Sequence, residues 1–302
     1  MTAHDSALRL AWDYIARHGR ALEQARLAHH FSGESDEKTI EWELLKYQNA
    51  DGGFGRSLEP DLRCPDSSVL ATNIAIDLAI EYEWTNKSWF RDALNWLLAQ
   101  LDSQTLTFEF IPPAAEDYPH APWWNRADLH QNFDFFRCNP SLQSFGYLLR
   151  FMPEALANFN IHVLVDRVLA LPEQTDVNTL LAIRALSQCQ VLPQDLQLQV
   201  QEKLTQLTYA SIATSKESWL TYGVKPLWVI HDKQDSAYAA CSAAVSQNIQ
   251  FEFDQQREDG SWNPNWTWGG QFEEDWPDAL KDIKSILTLE NLMTLKRWEA
   301  AS

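Results

Sequence analysis

A chain of 302 residues with 45% hydrophobic and 12% aromatic content has apolar side chains enough for one large core or two ordinary ones, which excludes general disorder. Its 42 acidic residues against 24 Lys and Arg give a formal net charge of −18, so nucleic acid and anionic lipid surfaces are not expected partners unless a basic patch is set apart. No such patch stands out, no apolar run approaches bilayer length, and Met1 to Leu10 lacks the apolar core of a secretory signal, so membrane insertion is not expected. Cys64, Cys138, Cys189 and Cys241 are far apart and form no CxxC pair, which predicts reduced thiols in a cytoplasmic protein and no structural zinc.

Taken in chain order, Leu8, Trp12, Ile15, Leu22 and Leu27 recur at helical spacing around Gly19, which predicts two short helices or one bent one between Ser6 and about Phe31. Ser35-Asp36-Glu37-Lys38 opens an amphipathic helix ending near Tyr47, with Ile40, Leu44 and Tyr47 on its apolar face. Asp51-Gly52-Gly53 then reverses the chain, because paired glycines accept the positive φ of a tight turn, and Phe54 plugs its base. Asp66-Ser67-Ser68 stands directly before Val69-Leu70-Ala71 and Ile74-Ala75-Ile76, and reads as the capped start of a helix apolar almost all round. Such a helix must be buried. Leu94, Leu97, Leu98 and Leu101 follow at the spacing of an outer, amphipathic helix.

From Gln100 to Arg137 the chain is aromatic and broken by Pro112-Pro113, Pro119 and Pro122, which predicts a long loop acting as a lid or pocket wall. Asn139-Pro140 reads as an N-cap followed by proline at the first helical position, opening a helix through Phe151. Helical patterns continue over Val163 to Leu171, Asp176 to Cys189, Asp195 to about Ile212 and Ser236 to Gln255, with an irregular connection from Ala213 to Asp235. Asp259 to Asp278 reads as a Trp-rich loop. The last helix, about Leu280 to Trp298, places Ile283, Ile286, Leu287, Leu289, Leu292 and Leu295 inside.

Two stretches share one pattern: Gln48-Asn49-Ala50-Asp51-Gly52-Gly53-Phe54 and Gln256-Arg257-Glu258-Asp259-Gly260-Ser261-Trp262, each Gln-x-x-Asp-Gly-x-aromatic between helices. Through these repeats the chain resembles the terpenoid cyclase and protein prenyltransferase superfamily, and within it the short stand-alone bacterial members. The resemblance spans about Ser35 to Trp298. It implies an all-α fold, one α/α toroid (an α/α barrel) of inner and outer helices over residues 1–302, with parallel inner helices whose N-termini gather at one mouth near Asp66, Asn139, Asp176 and the Asp278 region. In the resembled proteins the paired Gln and Asp-Gly residues tie helix ends to loops.

Several residues near that mouth are candidates for chemistry. In the resembled cyclases an aspartate beginning a buried helix acts as general acid. Asp66 matches that aspartate and not the full motif, so it is either an acid or a helix cap, and a cap position stabilises the charged form. Glu59 and Asp61 can act with it, bind a divalent cation or anchor the loop. Asn139, Trp123, Trp124 and His130 are expected to bind ligand, while His120 and Asp134 are further acid/base candidates. The zinc-holding Asp-x-Cys element of the prenyltransferases is absent, since Cys64 precedes Asp66, and Arg56, Arg63 and Arg137 are the cations available for a diphosphate. Three readings stand: an isoprenoid-handling enzyme with an apolar cavity for a small hydrophobic or amphiphilic ligand, a carbohydrate-active barrel using carboxylates such as Asp61 with Glu273 or Asp275, and a non-catalytic scaffold. Cofactor and oligomeric state are left open.

Overall fold

A computed structural model describes residues 3–33, 36–189 and 191–300. The fold is all-α: 61% of it is helical, and among the described residues β pairing is limited to isolated bridges such as Leu62 with His120. In order the helices are α1 (Ala3–His18), α2 (Ala21–Phe31), α3 (Glu37–Leu45), α4 (Val69–Glu81), α5 (Ser88–Ala99), α6 (Arg126–Asn132) and α7 (Ser141–Phe151). They continue as α8 (His162–Leu169), α9 (Val177–Ser187), α10 (Gln194–Ser211), α11 (Lys216–Trp219), α12 (Pro226–Val229), α13 (Tyr238–Gln255) and α14 (Trp276–Ala300). The chain forms two compact units, Met1–Lys46 with Ile212–Ser302 and Tyr47–Ser211.

In the unit made of both chain ends, α1 and α2 are separate helices divided at Gly19 and Arg20, where the Arg20 amide donates to Ser285 Oγ of α14 at 2.9 Å. Leu8, Ile15 and Leu27 are buried together with Trp262, Leu289, Leu292 and Leu295. Trp12 is a correction to the periodicity reading, since it is 37% exposed on the outer side of α1. Ile286 and Leu287, expected inside, are only half-buried. Asp36 caps α3 by accepting from the Thr39 amide at 3.0 Å, whereas Ser35 lies outside the described residues. The connection from Ala213 to Asp235 contains two single-turn helices, α11 and α12.

The two Gln-x-x-Asp-Gly turns are built alike, one in each unit. Gln48 Nε2 donates to Gly52 O at 2.9 Å and to Trp89 O on α5 at 3.2 Å; Gln256 Nε2 donates to Gly260 O at 2.9 Å and to Ala7 O on α1 at 2.8 Å. The aromatic residue closing each turn gives its amide to a threonine of a buried helix, Phe54 to Thr72 Oγ1 and Trp262 to Thr288 Oγ1. Each aspartate bonds the amide two residues on, Asp51 to Gly53 and Asp259 to Ser261, at 3.0 Å. The glutamine thus satisfies a carbonyl of its own turn and ties that turn to a carbonyl of a neighbouring helix. The first helix of the chain, α1, serves the second turn as α5 serves the first. Truncation of either glutamine, Gln48→Ala or Gln256→Ala, removes two such bonds and is expected to cost about 2 kcal/mol of stability in urea unfolding; a loss below a few tenths would show that water replaces the side chain without penalty.

Candidate functional site

Glu59, Asp61, Asp66, Trp123, Trp124, His130, Asn139 and Asp176 lie in the unit Tyr47–Ser211, whereas the Asp278 region, expected at the same mouth, belongs to the other unit. Asp66 is exposed and is not the cap of α4; that role belongs to Ser68, whose Oγ accepts from the Ala71 amide at 3.0 Å. The register is decided by the Gln48 turn. Its Gly55 lies so near the Asp66 carbonyl that a Cβ added there would sit 2.1 Å from that oxygen, and Asn49 Nδ2 holds the Pro65 carbonyl at 3.0 Å. The backbone at Pro65 and Asp66 is therefore held against the turn, and the Asp66 side chain is left exposed. Glu59 and Asp61 do come together: Glu59 Oε1 accepts from the Asp61 amide at 3.2 Å, and Asp61 is buried.

Residues 61–63 pair with 119–121, Ala121 N to Asp61 O and Arg63 N to Pro119 O, both at 2.9 Å, and this bridge brings the aromatic segment against the Glu59–Asp61 turn. His120, within the bridge, is buried, with Nε2 2.9 Å from Asn125 Oδ1 and Nδ1 2.6 Å from Tyr118 O. Trp124 is buried against Phe133 (stacked, 5.2 Å between ring centres) and Phe110, while Trp123 beside it is half-buried. His130 is exposed on α6, its ring tilted against that of Phe136 with 4.9 Å between ring centres. The reading of 100–137 as a plain loop is corrected by α6 and by three short 3-10 turns over 113–117, 122–124 and 134–136. Arg167 of α8 anchors the segment by donating to the carbonyls of Leu106 at 2.7 Å and Arg137 at 3.2 Å.

This segment also occupies the helix ends at which a mouth was expected. Leu70 N, in the first turn of α4, donates to Phe110 O at 3.2 Å, and Ser141 Oγ, in the first turn of α7, accepts from Phe108 N at 2.9 Å. The Leu70 amide at the start of α4 is thus taken up by buried chain rather than left for a ligand, and at the start of α7 the same segment occupies the Ser141 hydroxyl. Asn139 is a second correction: it does not cap α7, whose N-cap position is Pro140 without a side-chain bond, and it is half-buried. Asp176 does cap α9, accepting from the Thr179 amide at 3.0 Å.

A different group of residues is brought together along α4 and α7. Asn73 Nδ2 donates to Ser144 Oγ at 3.0 Å, and one turn further on Tyr147 Oη donates to Asp77 Oδ1 at 2.5 Å. Rising numbers on one helix meet rising numbers on the other, so α4 and α7 run parallel. Gln143 completes the group, with Nε2 3.0 Å from Asp77 Oδ2 and 2.6 Å from Tyr147 Oη. Asp77 remains accessible to solvent, yet Tyr147 is buried, and the protein around the carboxyl desolvates it strongly. That desolvation, with the nearby charge of Glu81, outweighs the bonds from Tyr147 and Gln143 and pushes the Asp77 carboxyl up to about 6. Burial and the Asp77 charge hold the Tyr147 phenol well above its ordinary range. A group that water reaches but that protein mostly surrounds sits in a recess.

The floor of the recess follows from the helix period. Around α4 the positions not buried are Leu70, Ile74, Asp77, Ile80 and Glu81, one stripe of the helix, while Ala71, Thr72, Ala75, Ile76, Leu78 and Ala79 are buried on the rest. The stripe is apolar apart from its acids. A single aspartate in the run Ile74-Ala75-Ile76-Asp77-Leu78-Ala79-Ile80 is the signal in the sequence that marks this site, because a charge in an otherwise buried helix needs either partners or an opening.

No family profile matches the chain, and no curated protein matches it. The solved structures include a protein from Actinoplanes that is similar over 97% of this chain and 98% of that one, with a TM-score of 0.54 at 15% identity. That likeness concerns the fold alone.

Proposed function

We propose that the chain handles an isoprenoid-like ligand, in the manner of a cyclase-like or prenyl-transfer-like relative of the terpenoid cyclase and prenyltransferase superfamily. The ligand, small and hydrophobic or amphiphilic, would lie along the accessible stripe of α4. The observation that carries this reading is Leu70, Ile74 and Ile80 left reachable on a helix whose other faces are buried, beside the enclosed Asp77 carboxyl. Apolar surface kept open in a recess with a few convergent polar groups is the usual make-up of a small-molecule site. The twin Gln-x-x-Asp-Gly turns and the parallel α4 and α7 support the kinship. Glycoside chemistry needs two carboxyl groups facing each other across a groove; Asp77 and Glu81 share one helix, and Glu59 and Asp61 share one turn, which favours the apolar-ligand reading. The four cysteines are unpaired and buried, in keeping with a reducing cytoplasm. No helix among the described residues is long and apolar enough to cross a membrane.

The test is calorimetric titration with farnesol of the wild-type protein and of Ile74→Asp. Placing a charge on the apolar stripe is expected to weaken binding about tenfold or more. Absence of farnesol binding by the wild type, or equal binding by both proteins, would count against the reading.

A further inference from the structure

We infer that the recess at Asp77 selects ligands carrying an organic ammonium group on an apolar body, with the Asp77 carboxylate as the counter-ion. The inference rests on the proposed apolar-ligand site and names the head group it prefers. Every polar contact made by Asp77 is with a neutral donor, Tyr147 Oη at 2.5 Å and Gln143 Nε2 at 3.0 Å. None of the ion pairs among the described residues includes Asp77. The charge that acts on it is another acid, Glu81, one turn along the same helix. An accessible carboxylate in surroundings this enclosed, with neutral partners and a like charge beside it, lacks the cation that would relieve its desolvation.

The other groups decide which cation fits. Tyr147 and Gln143 have both committed their donors to Asp77 or to each other, so they hold the carboxylate in place while each of its oxygens accepts one bond and keeps further acceptor capacity. Ile74 precedes and Ile80 follows Asp77 on the same accessible stripe and present methyl groups, not oxygen atoms. A metal ion would need several further oxygen ligands, and among the described residues no group of three or more His, Cys, Asp or Glu side chains is placed to hold one. An alkylammonium ion needs one carboxylate and an apolar wall. The groups that face Asp77 and set its protonation are Tyr147 and Gln143 from α7 and Glu81 from its own helix. As the carboxyl loses its proton with rising pH, the ammonium ligand gains its partner while a neutral ligand gains nothing.

The experiment compares farnesylamine with farnesol, which share one hydrocarbon skeleton, by calorimetry on the full-length protein near neutral pH. The amine is expected to bind about tenfold tighter or more than the alcohol, as for a charge-assisted hydrogen bond in a partly desolvated place. Asp77→Asn is expected to close that gap, and lowering the pH below the range in which Asp77 ionises should close it in the wild type. Equal affinity of the two probes for the wild type would overturn the preference for ammonium while leaving the apolar-ligand reading standing. Binding of neither probe would overturn both, and the wild-type comparison decides between these outcomes whether or not a variant folds. Saturating binding of calcium or magnesium that depends on Asp77 would also overturn the assignment in favour of a metal.

Discussion

Gly260→Ala is expected to destabilise the unit containing both chain ends by about 4 kcal/mol or more, among the largest effects a single small substitution produces. Two costs add at this position. The backbone of Gly260 has φ +89, a conformation that an L residue adopts only with strain, and a Cβ there would stand 2.2 Å from Leu10 O and 2.4 Å from Leu10 C. The obstacle is backbone of α1, which cannot swing aside as a side-chain tip can, and Gln256 Nε2 holds that helix in place through Ala7 O at 2.8 Å. Relief therefore requires moving α1 off the turn and off the core it shares with Leu289, Leu292 and Leu295. Gly269→Ala is the matched control. Its φ is +61 with nothing within 4 Å of an added Cβ, so it should lose only the strain of the left-handed backbone, about 1 kcal/mol. Thermal unfolding followed by circular dichroism separates the two. Equal melting temperatures for both variants would mean that the contact between turn and α1 is loose.

Asp77→Asn is expected to make the protein more stable at neutral pH and to have no effect in acid. The Asp77 carboxyl is raised from 3.8 to about 6. A carboxyl whose folded value is raised binds its proton more tightly in the folded state, so folding is penalised when the group must ionise. The penalty is full above about pH 6, falls as the pH drops toward the ordinary carboxyl range, and vanishes below it. Because solvent reaches the side chain and screens its charge, the gain at neutral pH should be on the order of 1 kcal/mol, well short of the full linkage value. An asparagine Oδ1 still accepts from Tyr147, and Gln143 can turn its amide to offer an oxygen to the new Nδ2. Urea unfolding of wild type and variant across this pH range provides the measurement. A variant that is weaker than wild type by the same amount at every pH would show that the carboxyl is well solvated and that the recess is open water. A residue kept at a cost to stability is the pattern expected of a functional group.

Much of this architecture is legible in the sequence because it depends on a few neighbouring residues. Helical periods place Leu8, Ile15 and Leu27 inside, and the cap aspartates Asp36 and Asp176 announce the starts of α3 and α9 with bonds that span three residues. The Gln-x-x-Asp-Gly turns are equally local, for Gln48 reaches Gly52 and Asp51 reaches Gly53. Tertiary structure decided everything that depends on which neighbour arrives. Ser68 rather than Asp66 caps α4 because the Gln48 turn grips the backbone at Pro65 and Asp66. The starts of α4 and α7 are covered because 108–110 folds across them, a contact set by the bridge at 61–63 and by Arg167. An apolar helix such as α4 carries no mark of which stripe will meet protein and which will meet a recess, since Leu70 and Ile74 read the same as Ala75 and Ile76. Only the placement of α7, which brings Tyr147 and Gln143 onto Asp77 and leaves the rest of that stripe unburied, makes that distinction.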